Sequence, residues 1–207
     1  VARIGATRYK VRDEPGDGTV KDPFTTDWYQ YFLYQFDLSS LANPTPDYTL
    51  ALNTITKPVN PPNNGNAYYV TGDMETSGDW VIGANEKIVF IVDGDATIKG
   101  KITITPGGFF ALIANGNIII DSSIGVPYTS STPVVEGVYI TNPTGAIETG
   151  ASVLGTERFV GKGMFVAGNF VLQRDLQPWG HNDEASAELF IYNPQLLFTM
   201  PQKMQDL

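Results

Sequence analysis

Three aspartates in the middle of the chain are the residues best placed to do chemistry together. Asp93 and Asp95 flank Gly94, and Asp73 stands 22 residues before Asp95. Oxygen ligands of this kind bind Ca²⁺, and two carboxylates about 5 Å apart either hold a cation, share a proton or point into water. Asp side chains also accept hydrogen bonds from turn amides. The sequence therefore leaves three roles open for Asp73, Asp93 and Asp95: a calcium site, an acidic catalytic pair, and turn stabilisation.

The chain has almost no residues for thiol or imidazole chemistry. There is no cysteine and only one histidine, His181, which removes disulfides, Cys-ligated metals and thiol nucleophiles and nearly rules out serine triads. Asp183 and Glu184 follow His181 closely, so the histidine is either a metal ligand or a solvent-exposed turn residue. No cofactor is expected beyond Ca²⁺.

A protein that binds or cleaves glycans is the main alternative to a non-enzymatic role. Acid–base cleavage of a polysaccharide needs paired carboxylates, and 93–95 is the nearest match. The basic residues form no recognisable cluster beside it. A sugar site would combine carboxylates with solvent-facing aromatic rings, for which the nearest candidates are Tyr128, Tyr139, Trp179 and Asp121. We expect no enzymatic activity.

The net charge and the hydropathy of the chain limit the classes of partner that it is expected to bind. The 207 residues include 22 acidic and 13 basic side chains, a net charge of −9, which is the wrong sign for nucleic acid or anionic lipid. Residues 102–120 are uncharged, but Pro106, Gly107, Gly108 and 115–117 interrupt them. We read this run as two strands and expect no membrane insertion.

A short sequence motif, called the phrase below, recurs along the chain and sets the spacing of these residues. Each copy is a short apolar run, then Gly or Asn, then a small polar residue. The Gly or Asn anchors are residues 72, 94, 116, 142, 168 and 193, at intervals of 22 to 26 residues. Gly and Asn accept left-handed backbone angles most readily, so each anchor is expected to turn a corner at the same place.

The spacing of the phrase predicts a parallel β-solenoid. Short β-rich segments lie between the anchors, and stacked turns would bury their inward side chains against one another. An antiparallel sandwich also has many short strands, but its turns recur every 8–12 residues without a longer period. We predict an all-β chain in which 66–200 form a single-stranded parallel β-helix of about six rungs, with Asp73 stacked on Asp95.

Residues 1–65 lack the phrase and are predicted to form a helical and extended cap. Residues 57–66 are rich in Pro and Asn and predict a linker, and 26–37 are aromatic and predict a helix with Thr25 or Thr26 as its N-cap. Such a helix would cover the open end of the solenoid. Residues 201–207 are expected to be a tail.

The alternative to capping is an aromatic docking surface. Trp28 and Phe32 share one predicted helical face with Phe36, joined by Tyr31. The predicted interaction residues are therefore Trp28, Tyr31, Phe32, Tyr128 and Trp179.

Three segments carry a resemblance to a known group of proteins: 163–176, 189–197 with Pro201, and 68–72. Over residues 28 to 203 the chain resembles uncharacterised exported β-helix proteins of ultrasmall, candidate-phylum bacteria. The resemblance implies a cell-surface setting, sometimes beside pilus-like components, and a longer protein of which this chain is a piece. It implies no site residues.

The first residues, Val1-Ala2-Arg3, show no signal peptide and suggest a processed chain or an internal piece. Taken together, the sequence predicts a non-enzymatic extracellular structural or adhesive module of a cell surface, filament or appendage, capable of self-assembly. Its expected partners are copies of itself or other cell-surface proteins, with a glycan as the alternative.

Overall fold

The computed structural model describes residues 27–36, 38, 49–50, 54–58, 67–151, 156–176 and 180–205. Within these ranges the chain forms sixteen strands and three short helices. In chain order they are α1 (Trp28–Gln35), β1 (Thr49–Leu50), β2 (Thr54–Thr56), β3 (Tyr68–Val70), β4 (Met74–Ser77), β5 (Trp80–Ile82), β6 (Lys87–Val92), β7 (Ala96–Ile98), β8 (Ile102–Ile104), β9 (Phe109–Ala114), β10 (Ile118–Ile120), β11 (Val126–Pro127), β12 (Val135–Thr141), β13 (Ala146–Glu148), β14 (Glu157–Val166), β15 (Asn169–Val171), β16 (Glu188–Tyr192), α2 (Leu196–Thr199) and α3 (Gln202–Gln205).

The strands wind into a parallel β-solenoid of about five turns, which confirms the predicted fold class. One long sheet, sheet A, runs β1-β3-β6-β9-β12-β14 and continues to β16, and a second, sheet B, runs β2-β4-β7-β10-β13-β15. All these neighbours pair in parallel. A third face is made by β5 and β8. The uncharged run 102–120 holds three strands rather than two, since β8, β9 and β10 all lie within it.

Side chains stack in columns through the interior. In sheet B the register aligns one residue from each of five successive strands. They are Met74, Ala96, Ile118, Ile147 and Phe170. The first four are 0 to 2% exposed, because a rung covers each of them on both sides. Repetition of the same local packing is what lets a 22-residue phrase specify the whole fold.

Sheet A is apolar on both faces, which explains why β6 and β9 are continuous apolar runs rather than alternating ones. Phe90 and Leu112 face the solenoid interior. Val89 and Ile113 belong to a second buried cluster on the outer face, where α1, α2 and α3 cover the sheet. The aromatic helix therefore packs along the flank of the solenoid, against β6, β9 and β12, and does not act as the lid that we predicted for the open end.

Helix α1 lies within the predicted range 26–37, but its cap differs. The N-cap is Asp27, whose Oδ1 accepts the N–H of Gln30 at 2.9 Å; Thr25 and Thr26 lie outside the described residues. The buried side chains at spacings of three and four are Tyr29, Phe32, Leu33 and Phe36. Trp28 and Tyr31, which we grouped with Phe32, are half-buried at the edge of this stripe.

Both ends of the solenoid differ from the predicted boundaries. Strands β1 and β2, within the region assigned to the cap, pair with β3 and β4 and so form a first rung. At the other end, α3 lies in the predicted tail and buries Met204 against the helix-covered face of sheet A. Residues 59–66 of the predicted linker lie outside the described residues.

Among the described residues, no helix has both the length and the apolar character needed to span a membrane.

Candidate functional site

The predicted anchors of the phrase form a column, except that two of the six predicted positions are wrong. Gly72, Gly94 and Gly116 stack on successive rungs, and the N–H of Gly116 donates to the carbonyl of Gly94 at 2.9 Å. Gly145 occupies the next place, rather than Asn142, because 143–144 are an insertion that the phrase could not reveal.

Asn142 and Asn193 lie outside this column. The side-chain Nδ2 of Asn142 donates to Asn115 Oδ1 at 3.0 Å, one residue before the column. Asn193 donates its backbone N–H to the carbonyl of Gly163 at 3.3 Å, beside β14. Gly168 does continue the column, because the position of its Cβ would meet the backbone of Pro143 and Gly145.

Glycine is needed in this column mainly for close approach, not for left-handed angles as we predicted. Gly72 has a φ of 82°, but Gly94, Gly116 and Gly168 do not have positive φ. A Cβ on Gly94 would lie 2.7 Å from the carbonyl carbon of Gly72 and 2.9 Å from the backbone nitrogen of Asp73. The rungs are thus packed backbone to backbone at this corner.

The residues after these glycines form a hydrogen-bonded ladder. Asp73 Oδ1 accepts the N–H of Asp95 at 2.9 Å, and Asp95 Oδ1 accepts the N–H of Asn117 at 2.7 Å. Asn117 Oδ1 accepts the N–H of Ala146 at 2.9 Å. Of the three roles left open by the sequence, this geometry supports turn stabilisation, because each side chain satisfies a backbone amide on the next rung.

Asp93 belongs to a separate, neighbouring ladder. Its Oδ1 accepts from Asn115 Nδ2 at 3.2 Å, and Asn115 in turn accepts from Asn142. Across the ranges that the structure describes, no group of three or more His, Asp or Glu is arranged to hold a metal ion. The calcium site predicted at Asp73, Asp93 and Asp95 stays a prediction.

A substitution series at Asp95 separates the ladder from a carboxylate-bound cation. Asp95→Asn keeps the Oδ1 acceptor and is expected to change the free energy of unfolding by no more than about 0.5 kcal/mol, whereas Asp95→Ala should cost about 1 kcal/mol, as for a lost helix cap. Urea unfolding with and without Ca²⁺ gives both values. Stabilisation of the wild type by Ca²⁺ that Asp95→Asn abolishes would contradict the ladder as the full role of this carboxylate.

Arg174 is a site residue that sequence reasoning missed. Its side chain is 6% exposed, and its guanidinium donates to four backbone carbonyls, those of Thr149 (2.8 Å), Ser122 (2.8 Å), Asp121 (3.1 Å) and Ile124 (2.9 Å). Burial lowers the pKa of Arg174, and the charges of nearby carboxylates, Glu188 foremost, oppose that shift. One side chain thus joins the turns of two lower rungs to the irregular segment that follows β15.

The predicted sugar-site residues do not converge. Tyr139 is fully buried in the core, where its hydroxyl donates to the Glu136 carbonyl at 3.0 Å. Asp121 accepts from the hydroxyl (2.6 Å) and N–H (2.9 Å) of Ser123, and these two bonds lower the pKa of Asp121. Trp179 lies outside the described residues. Of the predicted sugar-site residues, only Tyr128 lies beside side chains that could form a site together with it.

Tyr128 and His181 meet on the loop side of the solenoid. Their rings stack at 3.8 Å between centroids, and His181 Nδ1 lies 3.2 Å from Glu184 Oε2. Desolvation and Glu184 raise the pKa of Tyr128. The stacking occupies one face of each ring, so this group fastens loop 180–185 to the solenoid more readily than it offers a free ring to a sugar.

The ionisation of Glu86, which lies in the first turns of the solenoid, should make the stability of the folded state depend on pH. The N–H of Gly83 donates to its Oε2 at 2.6 Å, and Lys57 Nζ lies 2.6 Å from the same oxygen. These contacts lower the pKa of Glu86 below its usual value. A depressed folded-state pKa stabilises the folded state above the unfolded-state pKa, and this contribution is lost as pH falls through the folded-state value.

We therefore expect Glu86→Gln to be less stable than the wild type at neutral pH, with the difference shrinking to nothing in acid. Urea unfolding from pH 7 down to pH 3 measures it. Lys57→Met is the matched control, because it removes the ion pair but leaves the backbone bond and should retain most of the pH dependence. A stability difference that is constant across this range would contradict the assignment.

The C-terminal end of the solenoid is an open apolar surface. Phe170 is 41% exposed, Leu172 53% and Tyr192 64%, and a cavity of about 640 Å³ opens between them and Phe190. Among the described residues, β15 pairs only with β13 and β16 only with β14. We call Phe170, Leu172, Phe190 and Tyr192, with strands β15 and β16, the terminal surface. An uncovered rung with a free strand edge is a template for another β-strand.

Comparison with known proteins found no similarity: no protein-family model matches the chain, and neither the curated proteins nor the solved structures gave a match.

Proposed function

We propose that this chain is a non-enzymatic structural or adhesive solenoid module of a cell surface, filament or appendage. The observation that carries the proposal is the terminal surface, where large apolar side chains are exposed and, among the residues that the structure describes, two strand edges have no further partner. Soluble solenoids need polar terminal repeats. An apolar terminal rung is therefore best explained as a contact surface for another protein.

The body of the molecule is suited to a structural role. Parallel backbone pairing joins every rung to the next, and side-chain ladders at the corners satisfy amides between the strands. Such a body holds its two ends at a fixed separation and resists unfolding, because each rung is covered by its neighbours. This is what a spacer or filament subunit requires.

The outer face of sheet A offers little room for a polymer. Phe32 and Leu33 of α1, Met200 directly after α2, and Met204 of α3 fill that face. A polysaccharide lying along the longest sheet would have to displace them. The covered face supports the structural proposal over the glycan-active alternative.

Electron microscopy and product assays on the purified protein test the proposal together. We expect filaments or other regular assemblies, and no release of unsaturated or reducing-end products from acidic or neutral polysaccharides. Turnover of any polysaccharide would overturn the proposal. Stable monomers that bind a sugar would favour the glycan-binding alternative instead.

A further inference from the structure

We infer that the terminal surface binds one extended strand, residues 8–12, donated by a second copy of this chain. The inference rests on the proposed function and names the partner and the segment that makes the contact. The donated strand would pair with the free edge of β15 and extend sheet B by one strand. No strand of the donor's own solenoid takes part.

Sheet B ends one strand before sheet A. Strand β16 lies on β14 at the end of sheet A, whereas among the described residues β15 has no strand after it. The residues that follow β16 form α2 and α3, whose buried side chains pack on the outer face of sheet A instead. The vacancy beside β15 is therefore one strand wide, so it admits a single extended segment and not a whole rung.

The register of sheet B shows which side chains a strand in this vacancy must supply. Ile147 of β13 is fully buried, whereas Phe170, which stacks on it from β15, is 41% exposed. Leu172, two residues further on, is 53% exposed. A strand on β15 would cover both with apolar side chains at positions i and i+2, and these would face Phe190 across the interior. The residue between them would point outward, beside Val171.

Residues 8–12 have the sequence that this vacancy requires. Tyr9 and Val11 are two positions apart, so both would face inward in an extended strand. The three residues that alternate with them are basic: Arg8, Lys10 and Arg12. Strict alternation of apolar and polar residues is typical of a strand with one buried face. Adding such a strand to an exposed sheet edge is a common way for a protein to bind an extended peptide.

The charge of the segment is opposite to that of the protein that it would bind. Residues 1–12 contain four basic side chains and no acidic one, although the chain as a whole has a net charge of −9. On sheet B, Glu148 is the outward neighbour of Val171. A basic residue on the added strand would lie two strand spacings, about 10 Å, from Glu148. Opposite charges at this distance favour the association.

The donor is a second copy because the chain enters α1 far from its own terminal surface. The hydroxyl of Tyr29, in the first turn of α1, lies 3.5 Å from that of Tyr69 on β3. Sheet A continues from β3 through β6, β9, β12 and β14 to β16, which is about 24 Å along the solenoid. To fill its own vacancy, the segment would have to run back along the flank and around the end to sheet B.

Residues 13–26 provide the connection to a neighbouring molecule. When extended, these 14 residues span up to about 46 Å between the donor's α1 and residue 12. Each copy would then donate a strand near its first rungs and accept one at its terminal surface. This contact is heterologous and does not close on itself, so it builds a polar filament.

A mixture of two single-cysteine variants tests the inference, because the chain contains no cysteine of its own. Lys10→Cys and Val171→Cys are purified separately, mixed in equal amounts and oxidised mildly. Their thiols would lie at paired positions of neighbouring strands, a separation that a disulfide bridges. We expect a covalent heterodimer on a non-reducing gel, which a reductant converts to monomer. Mass spectrometry should find the disulfide between residues 10 and 171.

Two matched controls separate this contact from random oxidation. Lys101 is exposed away from the terminal surface, so Lys101→Cys in place of Val171→Cys should give no heterodimer. Adding Val11→Asp to Lys10→Cys should remove the heterodimer, because a carboxylate would then face the apolar interior. Thr19→Asp makes the same charge change outside the donated strand and should leave the heterodimer intact. Circular dichroism confirms that each variant is folded.

Two results would overturn the inference. One is the absence of a heterodimer from the mixture. The other is a double variant, Lys10→Cys/Val171→Cys, that oxidises to a monomer with an internal disulfide in place of oligomers, because the segment would then lie on its own molecule. Regular assemblies in electron microscopy without the heterodimer would leave the proposed function standing on a different contact. Polysaccharide turnover would overturn the proposed function itself.

Discussion

The Gly94→Ala variant is expected to lose about 3 kcal/mol of stability or more, or to fail to fold. The added methyl would overlap backbone atoms of Gly72 and Asp73 on the rung below. Backbone in a stacked rung cannot move without breaking strand pairing on both sides, so the overlap cannot be relieved locally. Urea unfolding followed by circular dichroism measures the loss.

Two other glycines are matched controls for this prediction. Gly72→Ala meets no atom within 4 Å but must adopt a φ of 82°, which should cost about 1 kcal/mol. Gly83 has no positive φ, and its nearest neighbours are atoms of the Glu86 side chain at 3.3 to 3.6 Å, so Gly83→Ala should cost about 0.5 kcal/mol or less. Equal stability of Gly94→Ala and Gly83→Ala would mean that close approach does not explain the glycine column.

Arg174→Ala is expected to destabilise the protein by about 4 kcal/mol. The substitution removes a buried guanidinium and leaves the carbonyls of Asp121, Ser122, Ile124 and Thr149 without their donor. A buried acceptor that loses its partner costs more than the bond contributed, because water cannot replace the donor. Chemical denaturation measures the change.

Arg174→Lys makes the same prediction testable if the alanine variant does not fold. An ammonium keeps the charge but lacks the planar fork that reaches four carbonyls, so it should fall between wild type and alanine. Lys99→Ala is the surface control, because its ion pair with Glu75 is exposed and should contribute about 0.5 kcal/mol. If Arg174→Ala were no worse than Lys99→Ala, the carbonyl contacts would not be stabilising.

The winding of the chain could be predicted because the same local structure, a strand followed by a corner, is repeated along the sequence. An apolar run followed by Gly94 or Gly116 at a 22-residue interval specifies a strand, a corner and a position above the previous rung. Each copy depends only on its neighbours. The helix at 26–37 was predictable for the same reason, since its aromatic residues mark one local face.

The predictions that failed depended on contacts between distant segments. The phrase gave no sign that 143–144 are inserted, so Asn142 was placed where Gly145 lies. Glycine at residue 94 was assigned to a left-handed turn, although the true cause, the backbone of the rung below, exists only after stacking.

By itself, then, the sequence determined the solenoid, its period and the absence of thiol chemistry, because composition and local spacing decide these. Tertiary structure alone decided that α1 covers the flank of sheet A and that Arg174 joins two rungs. The partners of Arg174 are backbone carbonyls 25 to 53 residues away, and a carbonyl carries no signature of residue type. The terminal surface was also decided by tertiary structure, because the exposure of Phe170 and Leu172 depends on which strands pack against β15.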